Sequence, residues 1–362
     1  MSPSFLDKVK HVYDTKYKTL MLIPIILVVL AFVQLGYQYA TTGDVVSKGI
    51  SLKGGSTILI PYNSQIQSDT LLLALSTQFS GHEFSVRQLT KTGVVTHLAL
   101  DSDLQDQNSI DGMIATISQQ TGIASSELSA EIVGEALGKS FFKQTFKSLL
   151  VAFVLMGMIV FLYFGDKVSH KVEVVGLSIV EGSLIWWGSS WVIGDILAIA
   201  LGVLLIILYI RYSIPSAAVV AAGFSDIVVT LAIFNLTGEK LSTAGVAAFL
   251  MLIGYSVDTD MLLTNRVLKR TTGELMEKIY GAIQTGMTMI CATFAAVLTT
   301  YVLVQSEIIK QIMLILLIGL VVDVIMTWIQ NVAFLRLYLE HQDTKRGQKH
   351  SSSQVHGTQG SR

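Results

Sequence analysis

The chain has 362 residues, 51% of them apolar and only 14% charged, with a formal net charge of −1 and a mean hydropathy of +0.60. Soluble domains carry about 25% charged residues, so this composition points to a bilayer rather than to two or three soluble domains. The balanced charge gives no reason to expect nucleic acid. A single cysteine, Cys291, excludes an intrachain disulfide and a cysteine metal cluster.

Residues 1–19 are polar and lysine-rich, which places the N-terminus in the cytoplasm. Residues 20–40 form a first transmembrane helix. The run outlasts a signal-peptide core, and Gln38-Tyr39-Ala40-Thr41 is a poor cleavage site, so a retained span is expected. Residues 41–142 read as an extracytoplasmic α+β domain. Ser56–Tyr62, Glu83–Leu89 and Val94–Leu100 have strand character, Asp69–Phe79 and Ile110–Thr121 have helix character, and the order fits a ferredoxin-like split-βαβ unit.

Residues 143–164 read as a second span. Residues 165–210 read as a two-helix membrane hairpin, Val172–Ile193 and Asp195–Ile210, broken at Gly194 and with Trp186, Trp187 and Trp191 near the far interface. Residues 211–340 follow as a four-helix bundle with spans at 215–234, 243–263, 280–304 and 312–334. Basic residues in the short loops and tail give eight crossings, or six without the hairpin, both with cytoplasmic termini in a multi-pass cell-membrane protein. Residues 341–362 are polar and expected to be disordered.

Carboxylates inside these spans are the chemical signal, because an ionised acid at mid-span costs about 2.5–3.5 kcal/mol on insertion scales. Asp226 and Asp323 sit at or beside the midpoints of their spans. Asp258 lies about 7.5 Å past its own midpoint, at 1.5 Å per residue, and Asp260 lies nearer the inner interface. No histidine falls in an expected span, so a relay would run on carboxylates, water and hydroxyls such as Ser225, Ser256, Thr259 and Thr264. On an ideal helix Asp258 and Asp260 point about 200° apart, so they face one partner only if the helix breaks, for which Gly254 offers a place. The expected ion- or proton-coupling residues are therefore Asp258, first, with Asp226, Asp323 and Asp260, the competing reading for Asp260 being an interfacial ion pair with the basic cluster at Arg266. For each acid the competing reading is a neutral side chain bonded to a neighbouring helix and serving only packing. Gly281, Gly286 and Ala292 are expected to serve helix packing. No Ser-His-Asp set, metal motif or phosphate loop is present, so neither an enzyme nor a cofactor is expected.

Three stretches carry a family resemblance. Ile50–Ser56, with Gly54 and Gly55, resembles the Gly-Gly-Ser/Thr signature after the first span of SecD and SecF proteins. Arg211-Tyr212-Ser213-Ile214-Pro215-Ser216-Ala217 through Asp226 is similar to the start of that family's third span. Gly254–Arg270, with Gly254, Tyr255, Ser256 and Arg266, resembles the archaeal form of its fourth-span motif. Bacterial members carry Asn-Asp-Thr where this chain has Asp258-Thr259-Asp260, and Asp258 falls where SecD subunits place their acid. The 46 residues from Gly165 to Ile210 stand as an insertion relative to the family pattern.

What the SecF resemblance implies is half of a resistance-nodulation-division transporter that pairs with a SecD-like subunit. The pair would use a proton or other ion gradient to help draw unfolded exported proteins from a SecY-type channel across the bilayer. An independent proton-coupled exporter of small molecules or lipids is the alternative within the same superfamily. A structural subunit with inert acids is the third reading.

Overall fold

The structure, a computed structural model, describes residues 11, 13–63, 66–91, 94–187, 192–270, 272–304, 306–342 and 344. A small polar domain sits on a bundle of long apolar helices. In the polar domain, strands β1 (Gly55–Pro61), β2 (Phe84–Lys91), β3 (Val94–Ser102) and β4 (Ser129–Val133) alternate with helices α2 (Ser68–Gln78) and α3 (Gln107–Thr121). The sheet is antiparallel with order β2-β3-β1-β4, so β1 lies between β3 and β4. Alternation along β1 sends Ile58 and Ile60 to one face, where they pack with Leu71 and Leu75 of α2 and Met113 and Ile117 of α3. The other face is polar. Asp101 accepts from Thr57 Oγ1 at 2.8 Å and from Arg87 Nε at 2.6 Å, and that ion pair holds the Arg87 guanidinium above its ordinary range. Asp106 caps α3 by accepting from the Ser109 backbone N–H at 2.9 Å.

The bundle begins with α1 (Leu22–Thr42), preceded by a helical turn at Tyr17–Leu20. It continues with α4 (Glu135–Phe164), α5 (Val168–Trp187), α6 (Val192–Tyr212), α7 (Ile214–Leu236), α8 (Thr243–Lys269), α9 (Leu275–Leu303) and α10 (Glu307–Ile325). Helix α10 runs on through a π-helical turn, Met326–Asn331. Among the described residues, seven helices are long and apolar enough to cross a membrane, all of these except α5. Helix α5 carries Lys171, Glu173 and Glu181. It is nevertheless built inside out. Val174, Ser178 and Glu181 face inward, while Val172, Ile179 and Val180 are exposed. Helices α7, α8 and α10 form the buried centre, and α1 presents Ile26, Val29, Leu30 and Val33 outward.

Several expected bounds move. At about 1.5 Å per residue, the 30 residues of α4 span about 45 Å, more than a bilayer's hydrocarbon core. The helix starts at Glu135, ahead of the expected span start at 143. Gly194 lies inside α6 and does not separate the hairpin helices. Helix α8 passes Gly254 unbroken. Trp191 and residues 345–362 lie outside the described residues.

The polar domain joins the bundle through glycines. Gly54 and Gly55 adopt φ of 89° and 145°, a region that favours glycine. A Cβ on Gly54 would stand 2.6 Å from the Glu135 Cα, and one on Gly138 would stand 2.5 Å from the Gly54 nitrogen. The first turn of α4 thus lies directly on the Gly54 backbone, while Gly55 lies against the Ser102 carbonyl of β3. The segment before it pairs with the α7–α8 turn: Leu241 N–H donates to Ser47 O at 2.7 Å, and Gly49 N–H donates to Leu241 O at 2.8 Å.

Candidate functional site

The centre of the bundle buries acids on three helices. Asp226 of α7 and Asp260 of α8 are fully buried, and Asp323 of α10 is 1% exposed. Each sits on a polar stripe at helical spacing: Asp226 and Thr230 on α7, Ser256, Asp260 and Thr264 on α8, and Asp323, Thr327, Gln330 and Asn331 on α10. The π-turn lies within the α10 stripe, and such turns recur at functional positions in helices.

The hydrogen bonds link the stripes. The Ser256 hydroxyl donates to Asp226 Oδ2. Asn331 Nδ2 donates to Asp260 Oδ1 at 2.7 Å, Thr327 Oγ1 donates to Asp323 Oδ1 at 3.0 Å, and Gln330 Nε2 donates to Ser225 Oγ at 3.1 Å. Each acid has one bonded oxygen. The other three, Asp226 Oδ1, Asp260 Oδ2 and Asp323 Oδ2, have no close hydrogen bond among the described residues, although the Thr327 hydroxyl lies beside Asp260 and those of Ser256 and Thr259 beside Asp323. Asp226 interacts electrostatically with both Asp323 and Asp260, and Asp260 interacts with Asp323. No lysine, arginine or histidine is among the buried polar groups described. Three full negative charges in one apolar enclosure would repel without compensation, so the cluster must share protons or take up cations. Among the described residues, no three His, Cys, Asp or Glu side chains are close enough to hold a metal ion together. The geometry places these acids beside hydroxyls and side-chain amides on three helices.

Placement differs from expectation at the fourth-span motif. Asp258 is exposed on the outside of the bundle, on a stripe with Ala247, Met251, Gly254 and Tyr255. Asp260 turns inward instead, held by Asn331, and does not pair with Arg266, whose guanidinium donates to the Gly281 carbonyl. The 200° between the two acids is as expected, but which acid faces inward depends on where α7 and α10 pack. Ser256 joins Asp226, whereas Gly54 belongs to the joint with α4 and Gly55 packs on Ser102 of β3, both away from the acid cluster. Gly286 serves packing: a Cβ there would stand 2.3 Å from the Trp328 ring. Thr230, Thr327, Gln330 and Asn331 were not singled out from sequence, although the i, i+4, i+7, i+8 spacing from Asp323 marks the α10 face.

Residues 180–341 match the model of the family described as protein export membrane protein SecD/SecF, C-terminal. The match begins inside the stretch expected to be an insertion. Over 342 residues the chain is 30% identical to the protein-export membrane protein SecF of Methanolacinia petrolearia, covering 91% of this chain and 98% of that protein. The corresponding protein of Pyrococcus furiosus is 26% identical over 343 residues, covering 94% of this chain and 97% of that protein. Among solved structures, SecDF from Thermus thermophilus, described as a translocon-associated membrane protein, superposes with a TM-score of 0.56 at 14% identity. That likeness covers 90% of this chain but 38% of the Thermus chain, and it concerns the fold alone.

Proposed function

The chain belongs to the SecF family of protein-export membrane proteins, and we propose that, as an auxiliary subunit of Sec protein export, it uses proton movement through Asp226, Asp260 and Asp323 to drive its polar domain. The observation that carries this reading is the burial of three interacting acids with no buried cation beside them. Loading or unloading a proton there changes the repulsion between α7, α8 and α10, and so their packing. Helices α7 and α8 meet at the turn whose Leu241 is paired with the segment leading into the polar domain.

A SecD-type partner occupies the exposed α8 stripe in this reading. Acids within membrane helices face a protein interior or a water-filled cavity far more often than lipid, and Asp258 on that stripe has neither in the isolated chain. Gly254, with open space above it, lets a partner helix approach closely. The polar domain then lies outside the cell, both termini lie in the cytoplasm, and the domain acts on unfolded chains leaving a SecY-type channel. The relatives reported above both carry the protein-export name, so an independent exporter is not favoured.

Replacing Asp226, Asp260 or Asp323 singly by Asn tests this in membranes containing the partner. Secretion that depends on the proton gradient should fall in each case, while the partner still co-purifies. Asp258→Asn should weaken partner binding more than it alters the proton dependence. Unchanged proton-dependent secretion in all three cluster variants would overturn the coupling role.

A further inference from the structure

The α5–α6 hairpin carries a buried acid that the three-helix cluster does not use. Glu181 is 6% exposed, and its Oε2 has no donor among the described residues. One helical turn away, Ser178 is fully buried, and its hydroxyl faces the Tyr209 hydroxyl. Both point inward from a helix whose opposite face is apolar and exposed, the reverse of a helix lying on water.

The surroundings fit a carboxyl. A Cβ on Gly202 of α6 would stand 2.8 Å from Glu181 Oε1, so the acid occupies space that any side chain at 202 would fill. Tyr209, 5% exposed, lies within electrostatic range of Glu181 and stacks on Phe161 of α4 at 5.2 Å between ring centroids. Its hydroxyl lies where α4 has Gly157, whose added Cβ would stand 3.1 Å from it. Among the described residues, Tyr209 is the titratable group that α6 turns toward Glu181. Asp195 and Arg211 lie exposed near the two ends of α6. Helix α4 contributes Lys147, whose ammonium donates to Trp186 O at 2.9 Å, beyond the acid.

We propose that Glu181 is a second proton-binding site of the membrane domain, a carboxyl that takes up and releases one proton within the α4–α5–α6 contact. An isolated ionised carboxylate in an apolar enclosure is costly, and protonation removes that cost without a metal or a lysine. Ser178 and Tyr209 are the nearby buried hydroxyls, Tyr209 interacting with it electrostatically. A charge change there acts on α4 through Tyr209 and Gly157, and α4 begins on the Gly54 joint of the polar domain. The site is separate from the Asp226–Asp260–Asp323 cluster and stands whether or not that cluster carries protons.

A hydrophobic carbodiimide applied to native membranes containing the full chain tests this. The neutral acid adds across a C=N bond: its proton passes to nitrogen and its oxygen bonds to the central carbon. The acyl group then migrates to nitrogen, leaving an N-acylurea with nothing released. Peptide mass analysis should find this adduct on Glu181, with a yield falling about tenfold per pH unit above the midpoint. The adduct should persist when Asp226, Asp260 and Asp323 are all replaced by Asn, which separates this site from the cluster. Absence of a Glu181 adduct while other membrane carboxyls in the same sample react would overturn the proposal. So would an equal yield with a water-soluble carbodiimide, or a yield that does not change with pH.

Discussion

At the scale of single residues, Asn331 holds the acid of the fourth-span motif that faces the site. Its amide donates to Asp260 at 2.7 Å from the end of the π-turn, while Asp258 faces away. Removing the donor leaves a fully buried acid oxygen unsatisfied, so Asn331→Ala should cost about 1–3 kcal/mol. Thermal unfolding of the purified chain in detergent measures this, and a melting temperature equal to that of the unmodified chain would refute the contact. A second residue prediction concerns Asp106 in the polar domain. The Ser109 N–H holds its carboxyl below the usual carboxylate range. A folded value below the unfolded one gives stability that is complete above about pH 4 and is lost as the pH falls through the folded value. Asp106→Ala should therefore melt earlier than the unmodified chain near neutrality, and the gap should close in acid. An unchanged gap in acid would show that the cap does not act through its charge.

At the scale of elements, hydropathy located the helices α7 to α10, because length and apolar content mark a membrane-crossing helix even at the buried centre of a bundle. The sheet's order of elements was legible too, through strand-like bursts separated by two helix-like stretches. Strand β4 was missed, since Ser129–Val133 offers five residues with little alternation and pairs only because β1 has a free edge. The inward face of α8 was not legible either. Asp258 and Asp260 both sit in an apolar run, and only the positions of α7 and α10 break that tie. Helix α5 is the remaining case. Its three charges exclude it on composition, but Glu181 turns inward and Lys171 and Glu173 lie in its first turns, where long side chains reach the interface. We therefore predict that α5 crosses the membrane. With Cys291 replaced by Ser, a cysteine at Trp187, which is exposed at the far end of α5, should react with an impermeant thiol reagent from outside intact cells. Reaction only after the cells are opened would leave seven crossings and put the termini on opposite sides.

At the scale of the whole molecule, the proposed coupling requires packing changes among α7, α8 and α10 to reach the polar domain. The two ends of the bundle are pinned differently. At one end the N-terminal segment is tied to α10, with Tyr13 donating to Trp328 O at 2.7 Å and Arg336 Nη2 donating to Asp14 O at 2.8 Å. At the other end the α7–α8 turn binds the segment at Ser47–Gly49 through backbone, and Gln311 of α10 donates to Lys240 O at 2.7 Å. Glu83 of the polar domain adds ion pairs with Lys53 at 3.5 Å and Lys240 at 3.7 Å, but exposed pairs of this kind contribute about 0–1 kcal/mol. The backbone bridge is therefore the firmer link. All three acid-bearing helices converge on it, since Leu241 joins α7 to α8 and Gln311 ties in α10. If movement passes through this bridge, fixing it covalently should stop the movement. Lys48 and Leu241 are bridge partners, within the separation that a disulfide spans. In a chain with Cys291→Ser, the pair Lys48→Cys and Leu241→Cys should close under oxidation and abolish proton-dependent secretion, which reduction should restore. Full secretion in the oxidised, cross-linked chain would show that the polar domain is driven from elsewhere, leaving α4 and its contact with Gly54 as the route.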